Sequence, residues 1–237
     1  MIVVKVGGSL FDHPGLGSGL RDFVASLSPA QVLLVPGGGP VADAVRELDR
    51  VHGLGEEAAH WLALRALGVT AAFLERLIRR PSEQTDLIPP FSEKEGGARE
   101  TVGGIRRVGP LKQEGQKTED PLALPSALGR SEEDPSPLAS LPLPPVAVLD
   151  CFAFALEDDS RPGALPHSWC VTTDSIAARA AAVLGAEKLI LLKSVDIPSG
   201  TSWEIAAANG WVDARFPHVA ATLACPIEVI NFRLFGK

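Results

Sequence analysis

The chain is short of basic charge, poor in cysteine, and has no apolar run long enough for a membrane. Lys and Arg number 22 against 29 Asp and Glu, a formal charge of −7 over 237 residues. A surface for nucleic acid needs clustered Lys and Arg, so no nucleic-acid partner is expected. A nucleotide stays compatible, because Mg²⁺ and a few local groups neutralise a triphosphate. The three cysteines, Cys151, Cys170 and Cys225, have no CxxC spacing and leave an odd count. That pattern argues for a reduced, cytoplasmic location with the thiols as small core residues. No basic leader precedes a long apolar stretch, Lys5 interrupts the only apolar run near the N-terminus, and nothing approaches a twenty-residue span. Neither GxxxxGK[ST] nor GxGxxG is present, which removes the Walker loop and the dinucleotide fingerprint. No repeat occurs at a solenoid period, and no metal-ligating residues are expected.

What is present begins with two glycine turns, each following an apolar strand. Ile2 to Val6 runs into Gly7-Gly8-Ser9, and Val32 to Val35 runs into Pro36-Gly37-Gly38-Gly39-Pro40. Residues without a Cβ let backbone N–H groups approach an anion, and a helix starting just after adds the positive end of its dipole. Two such turns on neighbouring strands can hold two phosphate-bearing groups facing each other, which points to phosphoryl transfer.

The periodicity predicts helices over Gly19–Leu27, Pro40–Leu48 and Glu56–Leu67, with helical character continuing from Val69 to Arg80 beyond Gly68. Further strands are expected at Val146–Asp150, Lys188–Leu192 and Ile227–Phe232, and helices at Asp174–Leu184, Glu204–Ala208 and Val219–Leu223. Strands alternating with helices imply a layered α/β fold with a largely parallel sheet. The whole chain, 1–237, reads as one domain interrupted by a Pro-, Gly- and charge-rich insertion at about 81–145. A strand or hairpin is expected near Thr101–Val108, and Gln113–Pro142 reads as a mobile surface loop, an active-site lid or an oligomer contact.

Three further groups of residues bear on chemistry. Lys5 ends the first strand, where an ammonium can reach the oxygens of a transferring phosphoryl group. Thr172-Thr173-Asp174-Ser175 precedes an alanine-rich helix; helix capping explains one of these residues, and a site explains the group. Asp174 would orient Lys5, and Thr173 would contact a phosphate. A second strand ends in Lys193, followed by Ser194 and Asp196; it is either an ordinary strand-end lysine or a second cation for nucleotide phosphates.

Taken in order, Lys5-Val6-Gly7-Gly8-Ser9, Pro36-Gly37-Gly38-Gly39, Thr172-Thr173-Asp174-Ser175-Ile176-Ala177 and Leu192-Lys193-Ser194-Val195-Asp196 resemble the amino acid kinase family. The resemblance covers the chain outside the insertion. It implies a three-layer αβα sandwich with ATP near the C-terminal half and the phosphoryl acceptor near the N-terminal half. It assigns catalytic roles to Lys5, Asp174 and Lys193. It places phosphate or ATP contacts at Gly7, Gly8, Ser9, Thr173, Lys193, Ser194 and Asp196, with ATP and Mg²⁺ as cofactors. Gly37, Gly38 and Gly39 match the acceptor-side turn. Two departures stand out: Ile197-Pro198 follows Asp196 where the family often has glycine, and Gly210–Pro217 occupies the region where some members supply a second lysine.

Ala59-His60-Trp61, Leu165-Pro166-His167-Ser168-Trp169 and Gly210–Pro217 are similar to the branch that phosphorylates aminomethylfuran-methyl phosphate in methanofuran-type cofactor synthesis. Cys170 stands where that branch carries an acid. The resemblance implies a small-molecule acceptor bound by the glycine turn with His60, His167 and Trp169. The alternatives are a uridylate kinase or other family enzyme, and a non-catalytic nucleotide-binding or storage protein of the same fold. A homo-oligomer without membrane attachment is expected.

Overall fold

The computed structural model describes residues 1–79, 101–102, 105–107 and 145–235. Its centre is a parallel sheet built from the most apolar segments. These are β1 (Ile2–Val6), β2 (Val32–Pro36), β5 (Val146–Leu149), β6 (Lys188–Lys193) and β7 (Ile227–Asn231). Runs of Val, Leu and Ile suit strands covered on both faces. Two short strands, β3 (Thr101–Val102) and β4 (Ile105–Arg107), form an antiparallel hairpin that extends the edge beyond β5. The order across the sheet is β3-β4-β5-β2-β1-β6-β7. The hairpin falls where a strand or hairpin was expected; Gln113–Pro142 lies outside the described residues.

Strand alternation divides the core into two layers. Val3, Leu33, Val35, Leu149 and Leu191 face one side, where they meet α4 (Cys151–Asp158) and α5 (Thr173–Val183), with α6 (Trp203–Ala208) and α7 (Phe216–Ala220) completing the layer. Val4, Val6, Leu34, Ile190 and Leu192 face the other, where they meet α1 (Leu16–Ser26) and Phe232. The long α3 (Glu56–Ile78) serves both layers, giving Leu64 and Leu67 to the first and Ala71 and Leu74 to the second. It carries α2 (Gly39–His52) against its side. The result is the αβα sandwich that the alternation of elements implied.

Three elements differ from the sequence reading. Helix α1 begins at Leu16, because Leu16 as well as Leu20 and Phe23 is buried. Gly68 does not interrupt α3. A glycine inside a helix costs about 1 kcal/mol, and buried Leu64, Leu67, Ala71 and Leu74 on its two sides outweigh that. Helix α4 was not anticipated: Asp150, taken as the end of a strand, accepts a hydrogen bond from the Ala153 N–H at 3.1 Å and caps the helix.

One buried ion pair ties the helices of the first layer together. On α5, Arg179 donates through Nε and Nη2 to both oxygens of Asp158 at the end of α4, at 2.7 and 2.8 Å. It also donates to the Pro162 carbonyl at 3.0 Å. Removing one partner of a buried pair strands a charge and costs about 3–5 kcal/mol, whereas replacing both by apolar groups is often near neutral. Arg179→Met should therefore lower stability by roughly that amount in urea unfolding, and adding Asp158→Leu should restore most of it. An Arg179→Met protein as stable as the parent would show that the pair does not hold α4 to α5.

Candidate active site

Lys5 and Lys193 are brought together by strand geometry. β1 and β6 pair in parallel with Lys5 opposite Leu191, so Lys5 and Lys193 lie two positions apart on the same face of adjacent strands. That face is covered by α5, whose N-terminus sits over the ends of these strands. Asp174, in the first turn of α5, completes the arrangement. Its Oδ1 lies 2.9 Å from the Lys5 ammonium, and Lys193 donates to Oδ1 and Oδ2 at 2.7 and 2.8 Å. All three are buried, with 6%, 5% and 7% exposure for Lys5, Asp174 and Lys193.

One carboxylate between two ammonium groups leaves a net positive charge in a dry place. Burial by itself would raise the Asp174 carboxyl, but Lys5 and Lys193 together outweigh it and hold Asp174 below the usual aspartate value. Asp174 is therefore a fixed anion and is not suited to take a proton. Lys193 moves the other way: burial and then the neighbouring Lys5 depress it to about 8, against the pull of Asp174.

The turn that presents Asp174 is held by a residue with no local signal in the sequence. Asp213 accepts from the Thr172 N–H, the Thr172 hydroxyl and the Ser175 N–H through Oδ2, at 3.0, 2.9 and 3.0 Å. Its Oδ1 accepts from the Ser175 hydroxyl at 2.5 Å and from the N–H groups of Arg215 and Phe216 at 3.1 and 2.9 Å. One carboxylate thus ties the start of α5 to the start of α7. It does so with hydroxyls that the sequence presented as a capping or phosphate group. Thr173 is left to line the cavity.

The glycine turns pack against each other backbone to backbone. A Cβ on Gly8 would stand 2.2 Å from the Gly39 nitrogen, and one on Gly37 would stand 2.2 Å from the Gly8 nitrogen. Gly39 also has φ +52°, a conformation that side chains disfavour. These glycines are needed so that the two turns can touch at all. The first turn is fixed further by a Gly7 N–H to Leu192 carbonyl bond of 2.9 Å and a Ser9–Ser194 hydroxyl pair at 2.8 Å.

A cavity of about 520 Å³ opens beside these turns. At one end stand Lys5, Gly8, Ser9, Gly38, Gly39 and Thr173. At the other stand His60, Leu64, Leu67, Trp169, Val171 and Ile176. Trp169 reaches across to α2, where its Nε1–H donates to Asp49 Oδ2 at 2.7 Å and the Arg46 guanidinium lies 5.0 Å from its ring centre. His60 is depressed by burial and then by His167, so it stays neutral near pH 7. Its ring stacks on His167 at 5.4 Å. His167 is held by Asp159 at 2.7 Å and lines a separate small cavity behind His60.

Of the residues singled out in the sequence, then, Lys5, Gly8, Ser9, Gly38, Gly39, His60, Trp169 and Thr173 border one cavity. Gly7, Gly37, Asp174, Lys193 and Ser194 support its walls without lining it. Asp196 is exposed on the loop after β6, and Cys170 is exposed and does not line the cavity. Asp213, Arg46, Asp49 and Arg233 were missed. Each meets the site only through contacts made by folding, and Asp213 does so from 38 residues beyond Ser175.

Among the described residues no helix is long and apolar enough to cross a membrane. The chain is 24% identical to the [5-(aminomethyl)furan-3-yl]methyl phosphate kinase of Methanocaldococcus jannaschii, over 98% of this chain and 88% of that protein. The model of the amino acid kinase family matches residues 1–197, the stretch that carries both glycine turns, both lysines and Asp174. The chain belongs to the amino acid kinase family and is a phosphotransferase.

Proposed function

We propose that this protein is a cytoplasmic, ATP-dependent kinase that transfers the γ-phosphoryl group to a phosphate already carried by a small acceptor, giving a diphosphate ester. The observation that carries this reading is the buried Lys5–Asp174–Lys193 group, with its surplus positive charge, set against two glycine turns in contact. An acceptor phosphate is ionised at neutral pH and needs no general base. This agrees with a site whose only fully buried carboxylate is held as an anion by two lysines. Lys5 borders the cavity and would meet the phosphoryl oxygens as charge is redistributed during transfer. Lys193 and Asp174 keep its ammonium in place, while the α5 N-terminus and the backbone N–H groups of Gly8, Ser9, Gly38 and Gly39 supply further positive ends.

The residues present fit a nucleotide phosphate chain. Among the described residues no group of three acidic, histidine or cysteine side chains is placed to hold a metal. The Mg²⁺ of this reading would be carried on the nucleotide phosphates, which is a common mode for that ion, and would neutralise their charge.

For the acceptor, we favour aminomethylfuran-methyl phosphate. The acceptor in the name of the methanogen relative has a small ring, an amine and a phosphate. The cavity offers a counterpart for each: apolar walls with Trp169 and neutral His60, carboxylates at Asp12 and Asp43, and the cationic glycine-turn end. ADP release should be fast with this acceptor and slow with uridine monophosphate; the reverse order would reassign the substrate.

Lys5→Ala leaves Asp174 neutralised by Lys193, so the fold should persist with little change in thermal midpoint. ADP release should nevertheless drop by about 100-fold or more, the scale for losing a group that stabilises transition-state charge. Turnover at the parent rate would remove Lys5 from the mechanism. A second expectation concerns pH. Below about 8 Lys193 is protonated and the group carries its surplus charge; above about 8 it loses that proton and the surplus disappears. The kcat/KM for ATP should thus fall as pH rises through about 8. A profile flat to well above that value would show that the charge on Lys193 does not contribute.

A further inference from the structure

The cation nearest the first glycine turn, apart from Lys5, comes from the far end of the chain. Arg233 lies in a 3₁₀ turn, Phe232–Leu234, directly after the edge strand β7. Aromatic packing pins this turn on both sides of the arginine. Phe232 meets Phe23 of α1 edge-on at 5.8 Å, Phe235 meets the same ring at 5.4 Å, and the two stack on each other at 5.1 Å. The Asn231 side chain accepts from the Arg233 N–H at 3.2 Å and closes the turn. The backbone of Arg233 is therefore fixed, and its side chain reaches back across the sheet edge to the cavity that Lys5 and Gly8 border.

There the guanidinium donates through Nη2 to the Ser9 carbonyl at 2.8 Å and to the Asp12 carboxylate. A guanidinium has five N–H donors in a planar fork suited to phosphate oxygens. Both contacts use Nη2, so Nε and Nη1 have no protein acceptor among the described residues. The side chain is 35% exposed, open to a ligand in the cavity. The other cations there are engaged: Lys5 and Lys193 on Asp174, and Arg46 on Asp43 and the Trp169 ring.

We propose that Arg233 binds a phosphate oxygen of a substrate lying against the Gly7-Gly8-Ser9 turn, with Asp12 as the carboxylate that competes for the guanidinium until the phosphate arrives. This rests on the phosphoryl-transfer reading only in requiring a phosphate at that turn. The phosphate could belong to the nucleotide or to the acceptor, and the chemistry of recognition is the same for both.

Binding without turnover tests it. Calorimetric titration of the whole protein with Mg·AMP-PNP probes the nucleotide phosphate, and inorganic phosphate added in the presence of Mg·ADP probes the acceptor phosphate. Arg233→Ala should weaken at least one probe about tenfold or more, the scale of a lost charge-assisted hydrogen bond, with an unchanged thermal midpoint. Arg233→Lys, which keeps the charge but not the fork, should fall between. Asp12→Asn should tighten the same probe, because it removes the competing anion. A loss confined to AMP-PNP assigns the nucleotide phosphate, and one confined to inorganic phosphate assigns the acceptor. Unchanged affinity of Arg233→Ala for both probes overturns the proposal. So does equal weakening by Asp12→Asn and Arg233→Ala, which would mark the pair as a structural brace. A parent protein that binds neither probe would instead count against the phosphoryl-transfer reading itself.

Discussion

The structure depends on one carboxylate that neutralises two lysines in a place where water cannot. Lys5 and Lys193 reach the ends of neighbouring strands on the same face, and without Asp174 their ammonium groups would repel each other in a medium that screens poorly. Asp174 binds them into a group with one surplus positive charge. The surplus makes the site attractive to phosphate, and burial makes that charge effective. The same burial depresses Lys193 toward neutrality, so the site lies near the limit of the charge it can hold.

Everything around this group serves to keep it fixed. The six hydrogen bonds to the Asp213 carboxylate lock the first turn of α5, and Asp174 with it. The Arg179–Asp158 fork anchors the same helix farther along, at its packing against α4. On the other side, the glycine turns touch through their backbones, so the end of β1 cannot move without the start of α2. The two turns therefore act as one wall. Their glycines were read as cradles for phosphate; close approach of one turn to the other requires them whether or not a phosphate is bound.

The fold was legible because its signals are local. Uninterrupted runs such as Val32–Val35 and Leu189–Leu192 can only be buried strands, and the glycine turns mark where each meets a helix. Lys5, Asp174 and Lys193 were legible because a charge at the end of an apolar run calls for an explanation. What failed was of another kind. Asp150 looked like the end of a strand until its side chain was seen capping α4. Gly68 looked like a break until burial on both sides carried the helix through it. His167 reads as a partner of His60 in either view, yet only the folded chain puts it behind that ring and against Asp159.

The sequence by itself determined the alternation of strands and helices, the two glycine turns, and the charged residues that end two of the strands. These follow from hydrophobic period and from the cost of burying a charge, which act over a few residues. The tertiary structure decided which charges meet. Asp174 is shared by lysines 188 positions apart, Asp213 grips a turn across about forty residues, and Arg233 returns from the last strand to the first glycine turn. No local pattern encodes such pairings, because they depend on strand order and on which face of the sheet each helix covers.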